Sequence, residues 1–469
     1  MLRVYLDWNA FSRLDDNDET YKKASAFLID NSKYIIPFSH AHLLDLHRSY
    51  LKVGIEGITG KLNILQKYSR DLLIADTDRD ELEFINPICS KKAMEMYIQT
   101  YDHNKALNIT IDDLLEPLEL LKPLFNIQIS NPIVKSPENI DDKEYQKLLN
   151  TTPRTANKIQ MLVGDSETTS LADITENLIK MSGNLHQDNT YNEFREAYQQ
   201  DLKVNTGRMR DKRFDPIESL DENAKKMNLE NFMELYERFL PEKDNSSIFK
   251  KIQQLCRILD FNGFFSDKIK EGHHLDNIET DYQHIGYAST CDVFISADNN
   301  TREKAKLTYR LLKLDVKVFT PKEFVDFTEK NSSELENGYL FLDFLSWVID
   351  APPTVITDEF KYHYIPSYIL GYFNAVYHPV DNEKHLILQK FGSPNRISTF
   401  VKEVSSVREK LLDFYGKPTL EQNEISDYFY AICWLTENLV LIELKYVDKN
   451  LELHIKQCQK IQTEDIGLI

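Results

Sequence analysis

Short apolar runs that end in carboxylates recur along this chain. Leu2-Arg3-Val4-Tyr5-Leu6 leads into Asp7-Trp8-Asn9, and Asp292-Val293-Phe294-Ile295-Ser296-Ala297 leads into Asp298. β-Branched and aromatic residues in runs of this length predict short buried strands. Tyr34-Ile35-Ile36-Pro37-Phe38 predicts another strand, ended by its proline, and Val316-Lys317-Val318-Phe319 a further one. Helical patterns follow these runs. One is mixed, from Phe11 to Leu28; a second starts at His40 with Ser39 as N-cap, and a third spans Asp281 to Ala288. Thr301 to Leu314 makes a basic amphipathic helix, and the next opens with Thr320 as N-cap and Pro321 at its first position. Strand, helix, strand, helix implies a parallel sheet.

Elsewhere the pattern changes. Leu62 to Cys89 predicts a charged helix whose acids, Asp76, Asp78, Asp80, Glu81 and Glu83, suit a solvated face. Residues 90–255 are polar and helix-favouring, broken by loop-like pieces such as Ser136-Pro137-Glu138-Asn139 and Thr151-Thr152-Pro153-Arg154. Beyond Lys330, Gly338 to Ala351 predicts a buried helix or strand, too short and too interrupted by Asp343 and Asp350 to span a membrane. Leu386-Ile387-Leu388 predicts a strand, Ile397 to Tyr415 a helix, and Leu439 to Tyr446 with Leu451 to Ile455 a hairpin. The resulting division is an α/β unit in two parts, 1–89 and 256–330, a helical insertion at 90–255, and a separate α+β domain at 331–469.

Charge narrows the choice of partners. With 56 Lys and Arg against 75 Asp and Glu, the formal net charge of the 469 residues is −19. Such a chain repels polyanions at long range, so a nucleic-acid partner requires a local basic face. Two stretches supply candidates: Arg208, Arg210, Lys212 and Arg213 in the insertion, and Arg302, Lys306 and Arg310 on the helix after Asp298. Five cysteines without a CxxC pair argue against a zinc ribbon or disulfide framework, and the start at Leu2 to Leu6 lacks the features of an export signal. These readings predict a cytoplasmic protein with no membrane association.

The acids carry the chemistry. Asp7, Asp45, Asp281 and Asp298 fall at strand ends or in helices that follow strands, and in open α/β sheets the ligand crevice lies beyond the carboxyl ends of the strands. Carboxylates gathered there repel one another unless divalent cations neutralise them, and hard oxygen donors suit Mg²⁺ or Mn²⁺. Such ions activate water for phosphodiester hydrolysis. Asn9 is placed to support the first acid, and His42 and His284, each one helical turn from an acid, to orient a carboxylate or water; packed core histidines are the alternative. Asp292, at the opposite end of its strand from Asp298, is read as structural.

Val4-Tyr5-Leu6-Asp7-Trp8-Asn9 resembles the opening strand and D-x-N signature of the PIN-like nucleases. Ser39-His40-Ala41-His42-Leu43-Leu44-Asp45 resembles their second acidic segment, and Asp281 to Ala288 with Asp292 to Asp298 the third and fourth. The resemblance covers about residues 1–50 and 275–330. It implies an α/β/α sandwich around a parallel sheet, four acids as metal ligands, and metal-dependent nuclease activity, on RNA ahead of single-stranded DNA. By analogy with extended members of the family, a bacterial toxin or phage-defence setting follows. The second acid is Asp45 where the family more often carries Glu, and a long helical segment separates the second and third acids. The competing expectation is a PIN-like scaffold with little or no catalysis, which binds a protein partner through the C-terminal domain or the insertion.

Overall fold

The computed structural model describes residues 2–30, 33–76, 82–85, 89–106, 128–130, 153–154, 168–170, 190–211, 213–238, 247–266, 275–331, 338–382, 384–390, 401–426, 429–447 and 450–457. In chain order the strands are β1 (Leu2–Leu6), β2 (Tyr34–Ile35), β3 (Phe38–Ser39), β4 (Leu73–Asp76), β5 (Leu82–Ile85), β6 (Gln128–Ser130), β7 (Thr168–Ser170), β8 (Val293–Ile295) and β9 (Lys317–Phe319). The C-terminal strands are β10 (Val355–Ile356), β11 (Phe360–Ile369), β12 (Phe373–Pro379), β13 (His385–Gln389), β14 (Leu420–Ser426), β15 (Phe429–Leu435), β16 (Val440–Val447) and β17 (Asn450–Gln457). The helices are α1 (Trp8–Phe11), α2 (Glu19–Leu28), α3 (His40–Ser69), α4 (Ser90–Ala106), α5 (Thr190–Asp201), α6 (Thr206–Arg210), α7 (Pro216–Lys226), α8 (Phe232–Arg238), α9 (Ile248–Phe261), α10 (Leu275–Ala288), α11 (Asn299–Leu311), α12 (Pro321–Asn331), α13 (Gly338–Asp350) and α14 (Val401–Tyr415).

Four strands form a parallel sheet in the order β2-β1-β8-β9, with Val4 opposite Val293 and Leu6 opposite Ile295. The central strands are buried on both faces, as a parallel sheet requires. Val4, Leu6, Val293 and Ile295 join one core with α2, α3 and Phe324 of α12, while Tyr5 and Phe294 join another with α9, α10 and α11. The alternation within two short strands therefore places helices against both faces. It also leaves Asp7 and Asp298 just past the carboxyl ends of neighbouring strands.

Two expectations need correction. Tyr34 to Phe38 is not one strand: Pro37 divides it, so that β2 pairs with β1 while β3 pairs in parallel with β4. Leu62 to Cys89 is not one helix either. α3 ends at Arg70 in the left-handed region (φ 51°), and the chain then forms an antiparallel pair with Leu73 opposite Ile85 and Ile74 opposite Phe84. The apolar residues that suited a helical stripe suit a strand face as well, and the turn at Arg70 decides between them. Asp78, Asp80 and Glu81 lie outside the described residues.

α3 itself bends sharply at Gly54 (φ 71°, ψ −178°), a backbone conformation open to glycine and strained for other residues. Lys61 Nζ lies 3.3 Å from Ser49 Oγ, twelve positions earlier. In a straight helix those positions are about 18 Å apart, so the second limb of α3 folds back along the first.

α5 to α9 enclose a core of their own around Leu220, Phe232, Leu255 and Leu259, shared with Leu307 of α11. Asp260 joins this unit to α11: its carboxylate meets Arg195 of α5 at 2.8 Å and Lys304 of α11 at 3.2 Å, all three side chains being buried. The C-terminal region forms an eight-stranded antiparallel sheet, β10-β11-β12-β13-β17-β16-β15-β14, with α13 and α14 packed on one face. That agrees with an α+β unit, of which the sequence patterns captured β13, α14 and the β16-β17 hairpin.

A buried charge cluster connects this sheet unit to the amino-terminal end of the parallel sheet. Arg3 forms a two-pronged pair with Glu403 of α14 at 3.0 and 2.6 Å. Asp292 accepts from the Arg3 backbone N–H at 2.8 Å and from Lys390 at 2.6 Å. Asp292 is therefore an interface residue, on the side of the sheet away from Asp7 and Asp298. Among the described residues, no helix is long and apolar enough to cross a membrane.

Candidate active site at the strand ends

β1 ends in Asp7, whose carboxylate is 3 % exposed. Oδ1 caps α1 by accepting from the Ala10 N–H at 2.8 Å, and Oδ2 accepts from the Ser296 hydroxyl at 2.5 Å. Burial pushes the Asp7 carboxyl up to about 6, against the lowering effects of the Ser296 hydrogen bond and of nearby His284; the negative charge of Asp298 adds to the rise. Asp298 sits three residues beyond β8, where its Oδ1 caps α11 at the Thr301 N–H, 2.7 Å away. Ser296 connects the two acids: its hydroxyl serves Asp7 and also accepts from the Asp298 N–H at 3.1 Å.

Asp45 reaches the same end of the sheet from α3. Its Oδ1 pairs with Arg48 at 3.0 Å and its Oδ2 with His284 Nε2 at 3.0 Å. Arg48 in turn donates to the Thr280 hydroxyl on α10 at 2.7 Å. His284 is 1 % exposed, and its Nδ1 lies 2.8 Å from the Tyr5 hydroxyl. Because Nε2 faces a carboxylate, it carries the proton, and Nδ1 accepts from Tyr5. The Tyr5 hydroxyl then accepts from Ser39, 2.6 Å away. Ser39, Tyr5, His284 and Asp45 form a continuous chain of hydrogen bonds across three elements.

His42 is held differently. Its Nδ1 accepts from the Ser39 N–H at 3.0 Å and its Nε2 donates to the Leu6 carbonyl at 2.8 Å, which fixes one neutral tautomer. Burial and the neighbouring His284 push it well below the ordinary histidine value. It acts as a rigid spacer between β1 and α3, with its ring 5.1 Å from Tyr5 and 5.4 Å from Phe11.

The predicted site thus assembles unevenly. Ser296 ties the Asp7 carboxylate to the backbone of Asp298, and Asp45 joins His284. Asp281 lies one turn before His284 on α10 and is half-buried. Among the described residues, no three His, Cys, Asp or Glu side chains are grouped as a bound metal ion would require. Asn9 is exposed on α1, and the support of Asp7 comes from Ser296 and the Ala10 N–H. Neither Ser296 nor Tyr5 was singled out from sequence; the signal for Ser296 was its place two residues before Asp298.

The predicted phosphate contacts are already engaged. Arg208 pairs with Glu222 at 2.9 Å, Arg213 with Asp211 at 2.5 Å, Lys306 with Glu303 at 3.0 Å and Arg310 with Asp215 at 2.6 Å. Arg210 donates to the Ser266 carbonyl at 3.0 Å, and Lys212 lies outside the described residues. Among the described members of the set, Arg302 alone bonds a residue of the site, donating to the Ser296 carbonyl at 2.9 Å. The open groove between α3 and α4, lined by Tyr50, Leu51, Gly54, Ile55 and Ile98, contains none of the predicted site residues. Compared with family models, curated proteins and solved structures, the chain matches none.

Proposed function

We propose that this chain is a metal-dependent hydrolase of phosphodiester bonds in nucleic acid, RNA ahead of single-stranded DNA, on a PIN-like α/β/α scaffold. The observation that carries this reading is the pairing of Asp7 and Asp298 at the carboxyl ends of adjacent parallel strands, with Ser296 holding Asp7 in place. A buried carboxyl near a second acid is a poor arrangement for stability alone, and a bound cation would offset it.

Two hard carboxylate donors fit Mg²⁺ or Mn²⁺ in the manner of sites that complete the ion's shell with water and substrate phosphate. A divalent ion there supplies a Lewis acid and an activated water. The protein's own work is positioning. Ser296 orients Asp7, the Asp298 carboxylate is fixed by the start of α11, and His284 fixes Asp45 on the facing helix. Asp45 is held by Arg48 and His284, and Arg48 is a cation that a substrate phosphate would attract.

A second reading, a scaffold with little or no catalysis, draws on the absence of a three-ligand group among the described residues and on the neutralised basic clusters. One experiment separates the two: end-labelled RNA and single-stranded DNA incubated with the full chain in Mn²⁺ or in EDTA. The hydrolase reading requires cleavage in Mn²⁺ that EDTA stops and Asp7→Asn abolishes. No cleavage, with no Mn²⁺-induced rise in melting temperature, supports the scaffold.

A further inference from the structure

We infer that Lys61, brought back beside Ser49 and Trp8 by the fold-back of α3 at Gly54, is a backbone-phosphate contact for a single-stranded nucleic acid. This rests on the hydrolase reading above and names a substrate-holding residue for it.

The placement is unusual for a residue so far along its helix. Lys61 Nζ donates to Ser49 Oγ at 3.3 Å and stands 5.9 Å from the centre of the Trp8 ring. Ser49 lies one helical turn beyond Asp45, whose carbonyl accepts from its hydroxyl at 3.3 Å, and Trp8 directly follows Asp7. Both neighbours of the ammonium group thus belong to the elements that carry the site acids. Gly54 is the cause, because its positive φ turns the second limb of α3 back, and Ile58, Leu62 and Leu65 bury that limb in the core shared with Trp8.

Charge sets Lys61 apart from four of the basic residues that the sequence offers. Arg208, Arg213, Lys306 and Arg310 each have a carboxylate partner, which an incoming phosphate must displace. Among the described residues Lys61 has a hydroxyl and an aromatic face, and no carboxylate, as its neighbours. A hydroxyl and a ring face hold an ammonium without neutralising it. A phosphate approaching the acids therefore meets a cation ready to accept it, with Arg48 and Arg302 on adjoining elements. In a chain of net charge −19, such a local cation is what lets a polyanion approach an acidic site.

The test is binding of a fluorescein-labelled single-stranded RNA of about 20 nucleotides to the full chain, by anisotropy, in Ca²⁺ and across a salt series. Lys61→Met is expected to weaken binding about fivefold and to lower the slope of log K against log salt by about 0.7, the value for one phosphate contact on a single strand. Lys61→Arg should restore both, and Lys22→Met, a change at an exposed lysine on α2, should alter neither. Lys61→Gln replaces the methionine variant if circular dichroism shows that it has lost its fold. Unchanged binding and slope in the folded Lys61 variant overturn the inference, as does failure of the wild-type chain to bind the RNA. Binding that depends on Lys61 without cleavage in Mn²⁺ upholds the phosphate contact and removes the hydrolase reading; cleavage with unchanged binding does the reverse.

Discussion

His284 Nε2 lies 3.0 Å from Asp45 Oδ2 although 239 positions separate the two residues. The contact ties α10 to α3 across the carboxyl ends of the sheet, and the other ring nitrogen extends it to Tyr5 of β1. Replacing His284 with Ala leaves the Tyr5 hydroxyl without its acceptor and Asp45 with Arg48 alone. The expected loss is on the order of 2 kcal/mol or more of unfolding free energy, from the cavity and the lost hydrogen bonds together. Tyr5→Phe, which removes one hydroxyl and keeps the ring, should cost about 1 kcal/mol. Urea denaturation of the three proteins checks both values.

Asp7 gives a pH signature. Its carboxyl is raised to about 6 in the folded chain from an ordinary value of 3.8, with burial as the main cause. The folded state therefore holds this proton in a range where the unfolded chain has released it. The stability this contributes is present below the ordinary value and is lost as pH rises through about 6. Asp7→Asn removes that loss. The variant should be more stable than wild type at pH 7, by on the order of 3 kcal/mol of unfolding free energy, and the difference should shrink towards pH 4. Added Mn²⁺ should stabilise the wild type and leave the variant nearly unchanged. A scanning-calorimetry series in pH and Mn²⁺ checks both parts.

Gly54 has open space around the position of an added Cβ, so a substitution there tests backbone strain without a clash. Gly54→Ala should cost about 1–3 kcal/mol, because φ 71° with ψ −178° is closed to residues other than glycine at low energy. If the turn relaxes instead, the loss appears in RNA binding, since Lys61 moves away from Ser49 and Trp8. Denaturation midpoints and anisotropy measured on one preparation show which occurs.

The Arg3–Glu403 pair is buried at 2 % and 0 % exposure and joins β1 to α14. Removing one partner strands a buried charge. Arg3→Met should therefore destabilise by about 3–5 kcal/mol, while Arg3→Met with Glu403→Leu should recover much of that loss. Lys390 limits the recovery, because it stands 3.6 Å from Glu403 and also serves Asp292. A double-mutant cycle by denaturation measures the coupling.

Local chemistry was sufficient for much of the fold. Runs of β-branched and aromatic residues marked β1, β8 and β9, and Thr320 with Pro321 marked the start of α12, where the Glu323 N–H donates to the Thr320 hydroxyl at 3.0 Å. Asp7 and Asp298 are legible as strand-end acids because each closely follows a short run of β-branched and aromatic residues. Leu62 to Cys89 reads as a helix because its apolar residues fit both periods, and the left-handed turn at Arg70 leaves no mark in a hydrophobic pattern.

Side chains within a few positions of one another dictate which residues form buried strands, which acids follow them, and that strands alternate with helices. The partners come from the folded chain. Ser296 meets Asp7 from 289 positions away, His284 takes one oxygen of Asp45, and Lys61 returns to Ser49 because of a single positive φ at Gly54. The fold also pairs Arg208, Arg213 and Arg310 with carboxylates, so positive letters in the chain do not by themselves mark a free cationic face. Charge pairing and hydrogen bonding act through distance in three dimensions, and residue spacing along the chain fixes that distance only within a single helix or strand.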